Sequence, residues 1–383
     1  MPKLILTSKS AIWDKSTNAP YPGVVEALRS AKKEGCTTFV VSNHSRPTWL
    51  TGALDFIQFQ RCGFKPPRQS GKIVQELIEL NRKNGLAESE IIILGADDED
   101  MMMAVNSKTV LIRCEWAKPL GSRIANYGVP FVNPGIIPVV LKLLEGNEPW
   151  YFVHSDEFLT VYAATNAGTR FEPDATMVRL VNALRGCLKS GSKELHKGFV
   201  LHFLSSVYNT QIFREVDIWS YFPSSGSSNE GAEVMADFCD LARETYKKRS
   251  NGPLFIRHKP SIKRHLGKCD RTDPTSQLET VHLNPEYAGK LEGSTVAVLD
   301  DYLTYGVSFG VAAALLKKAG ASKVVAVAMG KFGNCANLYD IEIKSDNVYQ
   351  PLSDFRLVST SQMSGDYERE AQTDFVKKFT DYV

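Results

Sequence analysis

The chain has 383 residues, of which 43% are hydrophobic and 23% are charged, and its formal net charge is +2. This composition is typical of a globular protein with room for two domains, and it gives no general attraction to nucleic acid or to a membrane surface. No apolar run has transmembrane length, and the first ten residues turn polar too early for a signal peptide. The seven cysteines include no C-x-x-C pair, so we expect free thiols in a cytoplasmic protein.

The first 115 residues alternate between strand-like and helix-like patterns. Short apolar runs predict strands at 3–6, 37–43, 91–95 and 109–113. Periodic segments predict helices at 24–35, 49–62, 70–84 and 96–106. Because strands that are separated by helices form parallel sheets, this region predicts an α/β domain with a doubly wound parallel sheet.

The same order of elements resembles the haloacid dehalogenase-like (HAD) Rossmannoid fold across residues 1–115. Four short motifs of that family fall on residues 7–11, Ser42, Lys65 and residues 95–100. In the family these motifs carry a nucleophilic aspartate, a Ser or Thr that closes the next strand, a lysine and an acidic magnesium-binding cluster. The resemblance implies a degenerate phosphatase-type site at the ends of the first strands.

Three departures from the HAD pattern argue against phosphatase catalysis. Thr7 stands in place of the nucleophilic aspartate, Lys9 in place of the acid–base aspartate, and Ala96 in place of a magnesium ligand. Catalysis in that family needs a carboxylate nucleophile and a carboxylate cage for magnesium. The resemblance therefore implies an inactive module with two open roles. One is a scaffold that contacts a second copy or a partner protein, and the other is an anion-binding module that uses Ser42, Lys65 and Lys9.

A Pro- and Gly-rich stretch at 116–174 predicts a linker with additional elements, and helices follow it. The predicted strand DIWSYF (217–222) then precedes a loop of small residues and another helix. Five residues of this loop are candidates for binding an anion through N–H and O–H donors: Ser224, Ser225, Gly226, Ser227 and Ser228. An ordinary strand-to-helix turn with an N-cap is the alternative.

Residues 251–293 lack strong periodicity and carry a run of basic side chains. The candidates for binding an anionic ligand are Arg257, Lys259, Lys263 and Arg264. Such a run is usually a solvated surface. Nucleic-acid binding is the less favoured use, because few aromatic residues accompany the charges.

Residues 294–320, STVAVLDDYLTYGVSFGVAAALLKKAG, predict a buried strand, a loop and a helix, and KVVAVAM (323–329) predicts the next strand. Asp300 and Asp301 at the strand end suit two ribose hydroxyls, or a hydroxyl and a magnesium ion. The loop that follows suits a phosphate monoester, because a helix N-terminus and a glycine favour an anion. Its residues are Thr304, Tyr305, Gly306, Val307 and Ser308. An unrelated doubly wound domain with a magnesium-binding acid pair is the alternative.

The segment VAVLDDYLTYGVS resembles the signature of type I phosphoribosyltransferases, and residues 175–335 are similar in layout to the ComF-type group, with 336–383 as a C-terminal extension. The resemblance implies a second doubly wound domain that binds 5-phosphoribosyl pyrophosphate (PRPP), or a nucleotide, with Mg²⁺. It implies that Asp300 and Asp301 contact the ribose and the metal, and that the loop at 304–308 binds the 5-phosphate. The basic run would close over the pyrophosphate as a mobile hood.

The resemblance implies transfer of the phosphoribosyl group to or from a nitrogen nucleophile, and the sequence does not indicate which acceptor. Tyr302 and Tyr305 depart from the signature, which usually has an aliphatic residue and a threonine at these positions. Both departures favour the alternative class, a non-catalytic sensor of PRPP or a nucleotide, or a scaffold that regulates a partner.

Overall fold

The computed structural model describes residues 4–81, 86, 90–145, 150–168, 175–193, 195–225, 233–261 and 270–379. The chain forms two compact units. Unit 1 comprises Met1–Gly146 and Leu241–Lys247, and unit 2 comprises Asn147–Asp240 and Lys248–Val383. The functional segments that the sequence predicts, 1–115, 116–174, 175–335 and 336–383, stay a prediction.

Unit 1 consists of short strands and helices that alternate along the chain. Its strands are β1 (Leu4–Thr7), β2 (Trp13–Asp14), β3 (Ala19–Pro20), β4 (Thr37–Ser42), β5 (Gln58–Arg61), β6 (Ile91–Gly95), β7 (Val110–Cys114) and β8 (Val129–Phe131). Its helices are α1 (Lys9–Ile12), α2 (Val24–Lys33), α3 (Lys72–Asn81), α4 (Asp98–Ser107) and α5 (Ile137–Leu143).

The six long strands of unit 1 form a parallel sheet with the order β5-β4-β1-β6-β7-β8. Helices α3 and α4 pack against the face that includes Leu6 and Ile93. This arrangement confirms the predicted α/β class and the parallel sheet. The helix predicted at 49–62 is wrong, because this segment holds a 3-10 turn at Gly52–Leu54 and then β5. The backbone of β5 pairs with β4, and this sheet pairing overrides the local helical pattern.

Unit 2 has longer strands and more helices. Its strands are β9 (Phe152–Ser155), β10 (Leu159–Asn166), β11 (Ile218–Tyr221), β12 (Phe255–Arg257), β13 (Val281–Leu283), β14 (Thr295–Leu303), β15 (Lys323–Lys331), β16 (Asn337–Ile343), β17 (Phe355–Gln362) and β18 (Asp366–Tyr367). Its helices are α6 (Ala175–Ser190), α7 (His196–Tyr208), α8 (Glu233–Thr245, shared with unit 1), α9 (Thr275–Leu278), α10 (Val307–Lys318) and α11 (Arg369–Phe379).

The main sheet of unit 2 has the order β11-β14-β15-β10-β9-β18, in which the first four strands are parallel and the last two are antiparallel. The sheet is therefore mixed, whereas the sequence predicts a parallel one. The sequence also predicts that the buried strand before the acid pair ends at residue 299. Pairing of β14 with β15 continues instead to Leu303, which lies opposite Lys331, so Asp300 and Asp301 lie within the strand.

The cysteine residues of the described ranges include no disulfide. Cys36, Cys62, Cys114, Cys187 and Cys239 are buried, and Cys335 is exposed. Burial raises the pKa of the Cys36 thiol to about 12 and that of the Cys187 thiol to about 11. Within the same ranges, no helix combines the length and the hydropathy that crossing a membrane requires.

Candidate functional site

The acid pair and the first predicted anion loop lie at the same edge of the unit 2 sheet. Strands β11 and β14 run parallel with Tyr221 opposite Leu299, and the N–H of Phe222 donates to the Leu299 carbonyl at 2.7 Å. The loop after β11 therefore begins beside Asp300 and Asp301. This carboxyl edge of parallel strands is where doubly wound sheets bind ligands.

Asp300 is a half-buried carboxylate next to another negative charge. Burial and then the charge of Asp301 raise the pKa of Asp300 to about 7, although a hydrogen bond from Ser308 and the charge of Lys189 oppose them. One Asp300 oxygen also accepts from the N–H of Asp301 at 2.8 Å. The Ser308 contact links the acid pair directly to the first turn of α10.

Asp301 forms an ion pair with Lys189, which lies in the last turn of α6. The Lys189 side chain is 54% exposed and that of Asp301 is 22% exposed. The Lys189 ammonium also lies 5.5 Å from the centre of the Tyr302 ring. Sequence patterns did not single out Lys189, because α6 reads as a packing helix and the contact joins residues far apart in the chain.

The loop between β14 and α10 has the backbone geometry of an anion-binding helix N-terminus. Gly306 is the N-cap residue with φ of +79°, and a Cβ atom there would lie 2.7 Å from the carbonyl oxygen of Asn337. Only glycine fits this position without strain. No hydrogen bond within the described ranges uses the N–H groups of Gly306, Val307 or Ser308, which the first turn of a helix leaves without an intrahelical acceptor.

The hairpin of β16 and β17 holds the same loop from outside. The Tyr305 carbonyl accepts from the N–H of Asn337 and from the hydroxyl of Tyr339, both at 3.0 Å. The guanidinium of Arg271 lies 5.2 Å from the centre of the Tyr305 ring. Thr304, Tyr305 and Ser308 are half-buried, so their side chains border the loop surface.

Arg257 positions the loop after β11. The residue is buried on β12, and its guanidinium donates to the carbonyls of Ser224 at 2.5 Å and Pro223 at 3.2 Å. It also donates to Gln277 Oε1 and Thr280 Oγ1, each at 2.6 Å. These bonds fix Arg257 in the protein, whereas the sequence predicts a mobile hood residue.

The remaining basic-run candidates divide into two groups. Lys259 is exposed, and the N–H of nearby Ser261 donates to the Ser225 carbonyl at 3.0 Å, so this segment lies beside the first predicted anion loop. The other predicted residues lie outside the described residues: Gly226, Ser227, Ser228, Lys263 and Arg264.

The donor chemistry of the acid pair fits a hard cation such as Mg²⁺, which prefers carboxylate oxygens from one or two residues and completes its shell with water and substrate oxygens. The raised pKa of Asp300 reflects burial first and then the negative charge of Asp301, and a bound cation would favour the charged carboxylate against both. In the described ranges, no group of three or more His, Cys, Asp or Glu side chains is arranged to hold a metal. Asp300 and Asp301 would therefore share the cation with ligand oxygens.

Unit 1 has its own carboxylate cluster at the carboxyl edge of its sheet, and a buried arginine occupies it. Arg68 Nη1 contacts Asp100 at 2.8 Å, Nη2 contacts Asp97 at 2.8 Å, and Nε contacts Glu99 at 2.9 Å. The Arg68 side chain is 8% exposed, and its backbone N–H donates to Asn43 Oδ1 at 2.7 Å. Protein contacts therefore fix Arg68 through both its backbone N–H and its guanidinium group.

Hydroxyl groups after β1 complete this cluster. Ser8 Oγ donates to Asp100 at 2.8 Å, and Ser10 Oγ donates to Asp97 at 2.8 Å. Burial raises the pKa of Asp100 to about 6 despite the charge of Arg68. Burial would also raise the pKa of Asp97, but Arg68 and the hydrogen bonds to Asp97 outweigh it and hold that pKa below its ordinary value.

The cation that contacts this cluster is Arg68, whereas the sequence points to Lys9. The Lys9 ammonium lies 5.8 Å from the centre of the Trp49 ring. Ser42 Oγ accepts from the N–H of His44 at 3.1 Å, and Lys65 is exposed. Lys9 and Ser42 therefore have separate partners, and the anion-binding role of Lys9, Ser42 and Lys65 stays a prediction.

No protein-family model matches this chain, and no curated protein matches it. Solved structures that resemble part of it include the cobalt-bound deoxy-D-mannose-octulosonate 8-phosphate phosphatase from Haemophilus influenzae, which is 12% identical over 29% of this chain and 68% of its own, with a TM-score of 0.22. Another is a protein assigned to the HAD hydrolase family from Streptomyces avermitilis, which is 13% identical over 29% of this chain and 67% of its own, with a TM-score of 0.22. At these values neither similarity supports a statement about activity. The HAD resemblance rests on the motifs and strand order of unit 1.

Proposed function

We propose that unit 2 binds PRPP, or a nucleotide with ribose 5-phosphate, together with Mg²⁺, and transfers the phosphoribosyl group to or from a nitrogen nucleophile. The observation that carries the proposal is the order of two features along β14 and α10. An acid pair on the strand is followed, within one loop, by a helix N-terminus whose first N–H groups have no acceptor among the residues that the structure describes. Ribose 5-phosphate has a vicinal diol at one end and a phosphate at the other, so its two ends match these two surfaces.

Each part of the site has a defined task in this proposal. Asp300 and Asp301 accept hydrogen bonds from the ribose hydroxyls and hold the metal, which neutralises pyrophosphate charge when it is bound. The loop at 304–308 binds the 5-phosphate through backbone N–H groups. In the forward reaction the bond between C1 and the pyrophosphate oxygen breaks, and a bond between C1 and the acceptor nitrogen forms. The loop that begins at Ser224, together with the basic run, is the candidate for holding the departing pyrophosphate.

The proposal is tested by a double substitution, Asp300→Asn with Asp301→Asn, in the full-length protein. Because each hydrogen bond to a charged group is worth roughly 1.5–3 kcal/mol, we expect PRPP affinity in the presence of Mg²⁺ to fall at least about tenfold. Calorimetric titration measures the affinity. Glu342→Gln is the control, since Glu342 is an exposed carboxylate on β16 that pairs with Arg356 at 2.9 Å.

Two results of this titration contradict the proposal. One is an unchanged PRPP affinity in the double variant, and the other is a wild-type protein that binds no phosphoribosyl compound. The pKa of Asp300 is raised by burial and then by the charge of Asp301, and the double substitution removes both unfavourable effects, so we expect the folded state to survive it. Circular dichroism on the same samples checks that the fold is kept.

A sensor that binds the same ligand without turnover is the second candidate, and Tyr305 favours it. The Tyr305 carbonyl is held by the β16–β17 hairpin, so this hairpin is coupled to the phosphate loop. Release of pyrophosphate from PRPP with a panel of nitrogen nucleophiles indicates an enzyme. Tight PRPP binding without release, accompanied by a ligand-dependent change in self-association or partner binding, indicates a sensor.

For unit 1 we propose a non-catalytic role as a scaffold that contacts a second copy or a partner protein. The support is the occupied carboxylate cluster, in which Arg68 already balances Asp97 and Asp100. Assays of the full-length protein with phosphate monoesters and Mg²⁺ test this role. Turnover that disappears in a Thr7→Ala variant would contradict it.

A further inference from the structure

The acid pair of unit 2 is in contact with a positive charge that the sequence signature does not include. Lys189 forms an ion pair with Asp301, and its charge also lowers the pKa of Asp300 against the effects of burial and of Asp301. A divalent cation bound to the same two carboxylates would lie close to this ammonium group. The two positive charges repel each other, so Lys189 and the metal compete for Asp301.

The position of Lys189 makes its displacement easy. The residue lies in the last turn of α6, and its side chain is 54% exposed. Exposed ion pairs contribute little to stability, because water screens the charges and the long side chain loses freedom in forming them. The lysine ammonium is a single point charge on a flexible stem, so it can leave the carboxylate without disturbing the helix.

Tyr302 offers the ammonium a favourable contact that remains when the ion pair with Asp301 breaks. In the ion-paired structure the Lys189 ammonium already lies 5.5 Å from the centre of the Tyr302 ring, within the range of a cation–π interaction. The Tyr302 ring packs against Phe332 at 4.9 Å between ring centres, which holds it in place. The tyrosine at a position where the signature usually has an aliphatic residue thus has a physical role beside the acid pair.

We propose that Lys189 is an exchangeable counter-ion of Asp300 and Asp301, which neutralises the acid pair in the absence of ligand and is displaced toward Tyr302 when a divalent cation binds. This inference rests on the proposed function, because it assumes that the acid pair takes a metal with the ligand. It adds an internal competitor that lowers the affinity of the site for a metal alone.

The test is a titration of full-length protein with Mn²⁺ as the probe, in which electron paramagnetic resonance measures the free metal. Lys189→Ala removes the competitor, so we expect this variant to bind Mn²⁺ about fivefold more tightly than the wild type. Lys189→Arg keeps the charge and should not gain affinity. Lys317→Ala is the matched control, because Lys317 is an exposed lysine in the last turn of α10 whose ammonium lies over Phe158, at 5.8 Å from the ring centre.

A second readout follows Lys189 itself. Mass spectrometry after brief labelling with an amine-reactive reagent measures its reactivity with and without Mn²⁺. We expect Mn²⁺ to change the labelling of Lys189 in the wild type but not in the Asp300→Asn, Asp301→Asn variant. The double variant keeps the lysine and removes only the carboxylates, so it separates displacement from an indirect effect of the metal.

The possible outcomes distinguish this inference from the proposed function. Equal Mn²⁺ affinity in the wild type and Lys189→Ala, with PRPP binding intact, overturns the counter-ion role and leaves the proposed function standing. A similar gain in Lys189→Ala and Lys317→Ala also overturns it, because the effect is then one of general charge. Absence of both Mn²⁺ and PRPP binding in all of these proteins overturns both.

Discussion

The two units each gather carboxylates at the carboxyl edge of a sheet, but they balance the charge with different cations. In unit 1, Arg68 is buried and contacts three carboxylates at 2.8–2.9 Å. In unit 2, Lys189 is half exposed and forms an ion pair with Asp301. A buried arginine with several carboxylate partners is a permanent part of the structure, whereas an exposed lysine can be exchanged for a ligand.

If the proposed function of unit 2 holds, one arrangement of acids serves stability in one unit and binding in the other. Breaking a buried ion cluster costs about 3–5 kcal/mol, because it leaves a charge without a partner in a low-dielectric environment. Breaking an exposed pair costs about 0–1 kcal/mol. The burial of the cation, more than the number of carboxylates, therefore decides whether a cluster is open to ligands.

The largest effect is expected from Arg68→Met, which keeps the length of the side chain and removes its charge. Because Asp100 is fully buried and loses its cation, the free energy of unfolding should fall by about 3–5 kcal/mol. Urea denaturation followed by tryptophan fluorescence measures this change. Arg29→Ala is the control, since Arg29 is exposed and its hydrogen bond to the Ala53 carbonyl, at 2.9 Å, is a surface contact. A loss for Arg68→Met no larger than that for Arg29→Ala would refute the contrast between a permanent and an exchangeable cation.

A smaller effect is expected at residues 304–308 of unit 2, the proposed phosphate loop. Gly306→Ala should lower the free energy of unfolding by about 2–3 kcal/mol and weaken PRPP binding. The new Cβ atom would lie 2.7 Å from the Asn337 carbonyl oxygen, and the alanine would also have to adopt an unfavourable positive φ. Gly289→Ala separates the two causes. Gly289 has φ of +72° with no atom within 4 Å of the added Cβ, so it should lose only about 1 kcal/mol and keep PRPP affinity. Equal losses in both variants would show that the Asn337 contact is unimportant.

The smallest effect concerns the pH dependence of stability, because protonation of His202 should destabilise unit 2 at low pH. This residue of α7 is buried beside Phe375 at 4.9 Å, and neither ring nitrogen has a hydrogen-bond partner in the structure as described. Burial, followed by the charge of Lys378, lowers the pKa of His202 to about 3. The folded state therefore binds the proton less readily than the unfolded chain, so stability falls as the pH drops below about 6.5.

Between pH 6.5 and 5 this histidine should account for a loss of about 1.5 kcal/mol in the free energy of unfolding. His202→Phe keeps an aromatic ring of similar size and cannot take up a proton. Denaturation at several pH values should give a flatter dependence in this variant than in the wild type. Parallel pH curves for the two proteins would mean that His202 titrates normally in the folded state.

Sequence patterns predict the local part of the unit 2 site well, because its residues follow one another along the chain. The acid pair, the glycine and the hydroxyl residues between 300 and 308 fall on a strand, a loop and a helix start, as their order indicates. The length of β14 was less predictable. Residues 300–303 belong to the strand because β15 supplies backbone partners, and no local pattern contains that information.

The two cations were beyond sequence reasoning for the same physical reason. Arg68 lies between a loop and α3 and reaches acids about thirty residues later, and Lys189 reaches an aspartate 112 positions later. Neither separation corresponds to the repeat of a helix or a strand, so no local sequence pattern indicates these contacts. The segment at 49–62 shows the opposite error, since a local helical pattern gave way to strand pairing with β4.

The exposed thiol of Cys335 makes the unit 2 site open to optical measurement. Buried thiols with raised pKa values, such as Cys36 and Cys187, react slowly with maleimides, so a fluorophore would attach preferentially at Cys335 once Cys269, outside the described residues, is replaced by Ser. Cys335 lies two residues before Asn337, whose N–H donates to the Tyr305 carbonyl. A dye at this position would report the filling of the phosphate loop as a change in emission, before any acceptor has been identified.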